Sequence, residues 1–262
     1  AALLAVVLGH LNTLRPRFRT LELTVGKAAG GLRELKIAMA SDIHIGTVTG
    51  PKTLERIIAG LTSRRADLVL LPGDIFDEDI SGGRAEEVSR LLRTIRAPFG
   101  VYACTGNHDY YAGIERSLEN LKAGGVTVLQ DEAVKIADAF YLLGRKDPTS
   151  VRRGEARKPL REILAACDPA LPLIVIDHQP VRLEEAARNG VDLQLSGHTH
   201  AGQLFPLNLI NQLVWEVYWG YSRKAGTQYY VSCGAGTWGP PVRTGSYSEI
   251  VEIRLAFAPD VR

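Results

Sequence analysis

The chain has 262 residues, of which 45% are apolar and 23% are charged, so it can bury a large core without disulfides. The 31 basic and 29 acidic residues leave a formal charge of +2, which does not by itself indicate nucleic-acid or membrane binding. Three cysteines far apart in sequence, with no Cys-x-x-Cys pair, argue against a disulfide framework and a cysteine-rich zinc site.

We interpret residues 1–20 as an N-terminal extension and residues 21–262 as one domain, because no repeat or long linker divides the chain. The opening AALLAVVLGHLNTL is apolar for eight residues, fewer than the roughly 20 that span a bilayer. Arg15, Arg17 and Arg19 follow, as cations often do where a chain leaves a membrane on its positive side. Two interpretations stay open: the end of an anchor at the cytoplasmic face of a bacterial inner membrane, or an amphipathic helix packed on its own domain.

From residue 35 onward, short β-rich runs alternate with helical segments. The predicted strands are 35–40, 68–71, 101–105, 127–129, 140–143, 173–176, 193–195, 229–232 and 250–255. Predicted helices at 54–61, 85–95 and 115–123 have apolar residues at spacings of three and four. Strand, loop and helix in repetition predict an α/β domain whose chemistry lies in the loops after the strands. The residues alone do not distinguish a doubly wound sheet from other α/β arrangements.

Five of the six histidines lie where a predicted strand meets a loop, beside Asp, Asn or Gly. They are His44, His108, His178, His198 and His200. A single histidine is more often a structural hydrogen-bonding residue than a ligand. Five at equivalent positions favour one shared site.

Carboxylate and amide side chains accompany these histidines. Asp42-x-His44 places two ligands on one turn, Gly73 lets Asp74 project from a sharp turn, and Asn107 supplies a neutral oxygen. Burying several carboxylates and imidazoles together is costly unless positive charge offsets them, and divalent ions supply that charge.

The donor set contains nitrogen and oxygen but no thiolate, which suits manganese, iron or zinc in a catalytic site. Two such ions, roughly 3.5 to 4 Å apart and bridged by a carboxylate and a water, are a recurrent arrangement for phosphate-ester hydrolysis. The bridging water becomes the hydroxide nucleophile.

Together these motifs resemble the calcineurin-like metallophosphoesterase family. The blocks are Asp42-x-His44, GDIFD at 73–77, GNHD at 106–109, His178 and GHTH at 197–200, in the family's order. The continuation GHTHAGQ, through Gln203, resembles the family's bacterial and often membrane-anchored branch. The resemblance covers about residues 35–255. It implies a four-layer α-β-β-α sandwich of two mixed β-sheets, with a dinuclear metal site at the ends of the strands.

The resemblance also implies a role for each matched residue. One ion would bind Asp42, His44, Asp74 and His200, and the other would bind Asp74, Asn107, His178 and His198. His108 would contact the phosphate and protonate the leaving oxygen, with Asp109 orienting its ring. Asn107 would also contact substrate.

Four weaker signals lie outside the ligand set. Arg243 follows two prolines and is a candidate clamp for a phosphate oxygen, or a surface residue. Asp77 is interpreted as a supporting residue, and Asp177 as either a support for His178 or a solvent-facing residue. Residues 144–161 carry a local charge of +5, which is typical of a solvated loop but also suits anionic lipid.

The fourth signal is the segment after Gln203, LFPLNLINQLVWEVYWGYSRK, which is apolar nearly all round. Such a segment is either well buried or in contact with something other than water. Core packing is the favoured interpretation. The alternative is that the segment forms the rim of the site and contacts an apolar substrate or a bilayer.

We therefore predict a metal-dependent hydrolase of phosphate esters, most simply a phosphodiesterase or pyrophosphohydrolase, with lipid-linked substrates as a subordinate hypothesis. A phosphomonoesterase or a nuclease could use the same site, but no long basic groove interleaved with aromatics indicates a specific nucleic-acid partner. The competing class is a non-catalytic scaffold. The intact set of ligand positions favours the enzyme.

Overall fold

A computed structural model of the chain describes residues 2–259 and shows two six-stranded sheets packed face to face between helices. The strands are β1 Arg17–Ala28, β2 Glu34–Met39, β3 Leu68–Pro72, β4 Val101–Cys104, β5 Thr127–Val128, β6 Glu132–Ile136, β7 Phe140–Gly144, β8 Leu173–Ile176, β9 Leu193–Ser196, β10 Gly220–Lys224, β11 Thr227–Val231 and β12 Glu249–Ala258. The helices are α1 Ala2–Leu11, α2 Pro51–Ser63, α3 Gly82–Leu92, α4 Asn107–Tyr111, α5 Ile114–Ala123, α6 Thr149–Arg152, α7 Leu160–Leu164, α8 Leu183–Arg188 and α9 Leu207–Val214, with a 3₁₀ turn at His200–Gly202.

Both sheets are mixed. Sheet one has the order β1-β12-β2-β3-β4-β5, in which only the β12–β2 pair is antiparallel. Sheet two has the order β10-β11-β9-β8-β7-β6, in which the two edge pairs are antiparallel. The parallel strands β2, β3 and β4 and their counterparts β8 and β9 therefore direct their carboxyl ends to the loops that carry the predicted ligands.

The core between the sheets explains why several strands are continuous apolar runs. β3 reads LVLLP and is buried along its whole length, because Leu70 faces sheet two while Val69 and Leu71 face the helices. Sheet two contributes Phe140 and Ile174 to the same inter-sheet core. A second cluster lies between sheet one and α2, α3 and α5, and a third lies between sheet two and α7 and α8. The layers are thus α-β-β-α, as the resemblance implied.

All nine predicted strands and all three predicted helices overlap elements of the structure. The sequence analysis missed β1, β6 and β10. β1 begins at Arg17, so this strand crosses the boundary predicted between residues 20 and 21. Within residues 2–259, no helix combines the length and the apolar character needed to cross a membrane.

Candidate metal centre

The loops after five strands meet at one end of the sandwich and bring the predicted ligands together. Asp42 and His44 follow β2, Asp74 follows β3 and Asn107 begins α4 after β4; His178 follows β8, while His198 and His200 follow β9. They include two groups with donor atoms within 4.8 Å of one another, Asp42–His44–His200 and Asp74–His178–His198. Six of the seven residues are buried, and His198 is half-buried.

Asp74 lies at the junction of the two groups. Its Oδ2 is 3.0 Å from His178 Nε2 and 3.8 Å from His44 Nε2. On the other side, His200 Nε2 lies 3.0 Å from His44 Nε2 and 3.3 Å from Asp42 Oδ1. One carboxylate therefore faces both clusters.

Three buried donor atoms of this set have no hydrogen-bond partner among the described residues: Asp42 Oδ2, Asn107 Oδ1 and His178 Nε2. The other ring nitrogen of His178, Nδ1, lies 2.9 Å from Pro72 O and donates its proton there. The Nε2 lone pair is then directed into the cluster, as a metal ligand requires. Buried lone pairs without hydrogen-bond donors fit cations, so the donor set suits divalent metal ions.

The ligand-bearing backbone is held in an unusual conformation. Asp42, His44, Asp74, His198 and His200 all have φ between 50° and 74°, in the left-handed region. Each such residue costs roughly 1 kcal/mol or more, and strain of this kind persists where surrounding contacts fix it. Asp42 N donates to Gly73 O, and His44 N donates to Asp74 O at 3.0 Å. These backbone hydrogen bonds hold the two turns against each other.

Two motif glycines make room for the carboxylates. A Cβ on Gly106 would overlap Asp74 Oδ1, and a Cβ on Gly197 would overlap Asp42 Oδ2. The glycines of GNHD and GHTH are therefore required by close approach, because any side chain there would displace a ligand.

The local electrostatics of four donors favour the protonation states that bind cations, whereas for His178 burial lowers the pKa but the charge of Asp74 outweighs burial and raises the pKa well above its ordinary value. Burial raises the pKa of Asp42, but His200 and the other imidazoles lower it by more. The pKa therefore lies well below its ordinary range, and the carboxyl is ionised. Asp74 behaves in the same way, with a pKa of about 2 because of His178. Burial lowers the pKa of His198 and of His200 to about 4, which keeps both rings neutral. Deprotonated donors are the form that metal ions need.

His108 faces Asp77. Its Nδ1 lies 2.6 Å from Asp77 Oδ1, and the same oxygen lies 3.1 Å from His44 Nδ1. One carboxylate thus orients both a predicted ligand and the predicted acid. Burial lowers the pKa of His108, but the hydrogen bond to Asp77 outweighs it and leaves the pKa above the ordinary value.

The prediction that Asp109 orients the His108 ring is wrong. The Asp109 carboxylate instead accepts hydrogen bonds from the backbone N–H groups of Asp74, Ile75 and Phe76 at 3.0 Å each, and of Gly106 at 2.8 Å. Burial and the nearby Asp74 raise its pKa to about 6. Asp109 therefore holds the Asp74 turn against the GNHD turn and does not touch His108.

The prediction that Arg243 clamps substrate is also wrong, because its side chain is buried with its donors occupied. Nη2 donates to Gly236 O at 2.7 Å and lies 3.1 Å from His200 Nδ1, while Nη1 donates to Ser246 Oγ at 2.8 Å. Only 1% of the residue is exposed. Arg243 packs behind His200 and supports the loop that carries this ligand.

A cavity of about 320 Å³ opens over Asp74, Asn107, His108 and the GHTH loop. Its other wall is apolar and comes from α9 and two tryptophans, Trp215 and Trp238. Gln203 holds Trp238 in place, since its Nε2 donates to Trp238 O at 2.8 Å and its Oε1 accepts from Trp238 N at 3.3 Å. Trp238 was not assigned to the site from the sequence. Trp215 belongs to the segment after Gln203, for which core packing was the favoured interpretation and a rim for a substrate or a bilayer the alternative. Core packing is wrong for α9, because this helix has no buried residue.

The basic segment 144–161 is folded and borders a different cavity, of about 760 Å³. Arg145 is buried against Asp131 at 3.2 Å, and Arg157 binds Asp177 at 2.7 Å. Asp177 therefore neither faces solvent nor touches His178. Part of the local positive charge is neutralised within the fold.

An α-β-β-α sandwich with a buried Asp/His site that could hold metal ions is the class of protein that the fold and the site define. The chain belongs to the calcineurin-like phosphoesterase family, whose model matches residues 35–202. The matched residues include every predicted ligand.

Similar proteins agree with this assignment. An uncharacterized metallophosphoesterase of Helicobacter pylori strain J99 is 34% identical over 85% of this chain. A transmembrane protein with metallophosphoesterase domain from Danio rerio is 34% identical over 97% of the chain. The chain covers 60% of the length of each of these two relatives. The solved sulfate thiohydrolase of Thermus thermophilus, 16% identical, has a similar fold, with a TM-score of 0.50 over 93% of this chain and 57% of its own.

Proposed function

We propose that the protein hydrolyses phosphodiesters or pyrophosphates with two divalent ions, manganese, iron or zinc. The observation that carries the proposal is the set of three buried donor atoms without hydrogen-bond partners on the two sides of Asp74. Asp42, His44, Asp74 and His200 would hold one ion. Asp74, Asn107, His178 and His198 would hold the other, so that Asp74 is shared.

When bound, the ions supply Lewis-acid charge that activates water and stabilises the phosphoryl oxygens during attack. The chain's own contribution is position. Asp77 fixes the rings of His44 and His108 through a single oxygen, and Pro72 O fixes His178. Asp109 holds the turn of the shared Asp74.

His108 is the proposed general acid. Its ring lines the cavity beside Asn107 and keeps 26% of its side chain exposed, so it can reach a substrate oxygen. The raised pKa favours the protonated ring, and the Nε2 proton would go to the leaving oxygen as the P–O bond breaks. Asn107, at the floor of the same cavity, would also contact the phosphate.

The cavity wall supports a diester over a monoester. Among the described residues, no lysine or arginine lines the 320 Å³ cavity, so His108 is the one side-chain cation near the phosphate and the second negative charge of a phosphomonoester has no further one to meet it. Leu207, Ile210, Trp215 and Trp238 offer apolar surface in its place. This wall fits a substrate with an apolar part, such as a lipid-linked phosphate ester at a membrane surface.

The test is a substrate panel on protein reconstituted separately with manganese, iron or zinc. We expect diesters or pyrophosphates, including lipid-linked ones, to be hydrolysed faster than monoesters of the same alcohol. Faster monoester hydrolysis would favour a phosphomonoesterase, and preferred cleavage of polynucleotides would favour a nuclease. Metal binding without hydrolysis of any phosphate ester would favour the non-catalytic scaffold.

A further inference from the structure

Two segments of the chain, α1 and residues 205–214, expose an unusual amount of apolar surface. They carry twelve of the 18 large apolar side chains that are exposed among the described residues. Leu213 is 88% exposed and Leu3 is 78% exposed. Concentrated apolar exposure marks contact with something other than water. We call α1 and residues 205–214 together the apolar face.

One loop joins the two segments of the apolar face. Arg243 N donates to Gly9 O in α1 at 3.0 Å, and the next residue, Thr244, donates its N–H to Gln203 O at 3.0 Å. Thr244 Oγ1 also accepts from Phe205 N at 3.0 Å. Because consecutive residues bind α1 and the chain entering α9, the two segments lie on either side of one strip of backbone.

The segments that form and join the apolar face contain no acidic residue, and the first acidic residue after α9, Glu216, pairs with Lys224. Residues 1–21, 201–215 and 233–248 contain no aspartate or glutamate, whereas residues 15–19 contain three arginines. A surface with cations and no acidic residues attracts anionic groups.

Amphipathic aromatic side chains accompany these arginines. The guanidinium of Arg17 lies 4.4 Å from the ring centroid of Tyr247, and that of Arg19 lies 5.7 Å from the ring centroid of Trp219. The two rings also contact each other edge to face, 5.7 Å apart. Arginine beside tryptophan and tyrosine is the combination that suits the headgroup region of a bilayer.

We propose that the apolar face docks on a lipid bilayer that carries anionic headgroups, with residues 205–214 and α1 inserted among the acyl chains at the interface. Leu207 and Ile210 of α9 also line the metal cavity, so docking brings the cavity opening to the headgroups. A phosphate ester anchored in the bilayer then reaches the metal centre while its apolar part stays in the lipid. This inference deepens the proposed function by naming the surface where the substrate is met, and it rests on that function only for the last step.

The experiment is sedimentation of the metal-loaded full chain with vesicles of phosphatidylcholine, with and without phosphatidylglycerol. Val214→Glu and Val151→Glu form a matched pair, because Val214 is 65% and Val151 57% exposed, and only Val214 lies in the apolar face. The wild-type protein should sediment with the anionic vesicles at low salt. Val214→Glu should bind them about tenfold more weakly, because the new carboxylate loses apolar burial and is repelled by the headgroups. Val151→Glu should bind like the wild type.

A wild-type protein that stays in solution with anionic vesicles at low salt would overturn the proposal, as would equal losses in both variants. Hydrolysis of soluble bis(p-nitrophenyl) phosphate separates this result from the proposed function, and Val214→Glu should retain it. Vesicle binding without diester hydrolysis by the wild type would contradict the proposed function and support the docking proposal. Diester hydrolysis without vesicle binding would support the proposed function and contradict the docking proposal.

Discussion

The two sheets contribute unlike halves to the metal centre. Sheet one supplies Asp42, His44, Asp74 and Asn107, and sheet two supplies His178, His198 and His200. Every carboxylate of the proposed ligand set therefore comes from sheet one, whereas sheet two offers only imidazoles. The negative charge that attracts ions is built into one half, and the other half completes their coordination.

The supports of the two halves differ in the same way. On sheet one, the carboxylates of Asp77 and Asp109 hold His44 and the Asp74 turn. The sheet-two ligands are supported by a carbonyl that belongs to sheet one, Pro72 O on His178, and by a cation, Arg243 beside His200. Ions that bind both halves should therefore add to the hydrogen bonds that already join the sheets at this end, such as those from His198 N to Asp42 Oδ1 and from His178 Nδ1 to Pro72 O, both at 2.9 Å.

The largest effect is expected at the junction of the halves. Asp74→Asn keeps the shape of the side chain but removes the charge shared by both clusters, so hydrolysis should fall to background and metal content should drop. Asp79→Asn is the matched control, since that side chain is 65% exposed and outside the donor set. Turnover and metal analysis of the purified variants check this. Two tightly held ions with normal turnover in Asp74→Asn would refute the bridge.

The next effect concerns proton transfer. His108→Asn should keep the metals, because His108 is not a proposed ligand, and should lose about 10² to 10⁴ in rate with alkoxide leaving groups. Nitrophenolate leaves without a proton, so the loss should be smaller with nitrophenyl esters. Rates with matched alkyl and nitrophenyl diesters check the difference. An equal loss on both would mean that His108 only orients the phosphate.

Within sheet one, we expect substitutions of Asp77 and Asp109 to act on different properties, the first on metal binding or turnover and the second on stability. Asp77→Asn weakens the acceptor for two imidazoles, and we expect a roughly 10- to 100-fold loss in metal affinity or turnover with little change in stability. Asp109→Asn puts an amide where four backbone N–H groups point, so the free energy of unfolding should fall by about 1–3 kcal/mol. Denaturant unfolding and kinetics of both variants test this. A loss of turnover without a loss of stability in Asp109→Asn, and the opposite in Asp77→Asn, would indicate instead that Asp109 orients His108.

The smallest effect is expected on sheet two. Arg243→Lys keeps the charge but cannot span His200, Gly236 and Ser246, so metal affinity should weaken by about tenfold through His200. KM for a soluble diester at saturating metal should not change, because Arg243 does not reach the cavity. A raised KM with unchanged metal affinity would instead indicate a substrate contact.

The positions of the ligands could be predicted because each follows a short apolar strand directly. The run LVLL before Pro72-Gly73-Asp74 predicts a buried strand and a sharp turn, and both are present. β1 could also have been predicted, since Leu21, Leu23 and Val25 alternate with polar residues and are the buried positions of that strand.

The supporting contacts could not be read from the sequence. Asp109 is the neighbour of His108 in sequence and Asp77 is distant from it, but the direction of each turn decides which carboxylate meets the His108 ring. Arg243 is of a residue type that is ordinarily exposed, and its burial depends on the folding of a glycine-rich loop around it. The exposure of α9 depends on what lies beside it in space, which the pattern of apolar residues does not specify.

The place of β12 in sheet one has a consequence for synthesis of the chain. β12 pairs with β1 on one side and β2 on the other, so residues 249–258 separate two strands that are translated long before them. All seven donor residues leave the ribosome before β12 does, while β1 still has no neighbour in its sheet. Long-range pairing of this kind forms late and slowly. A nascent chain halted before residue 249 should therefore expose the apolar faces of β1 and β2 to chaperones and proteases, although its ligand set is complete.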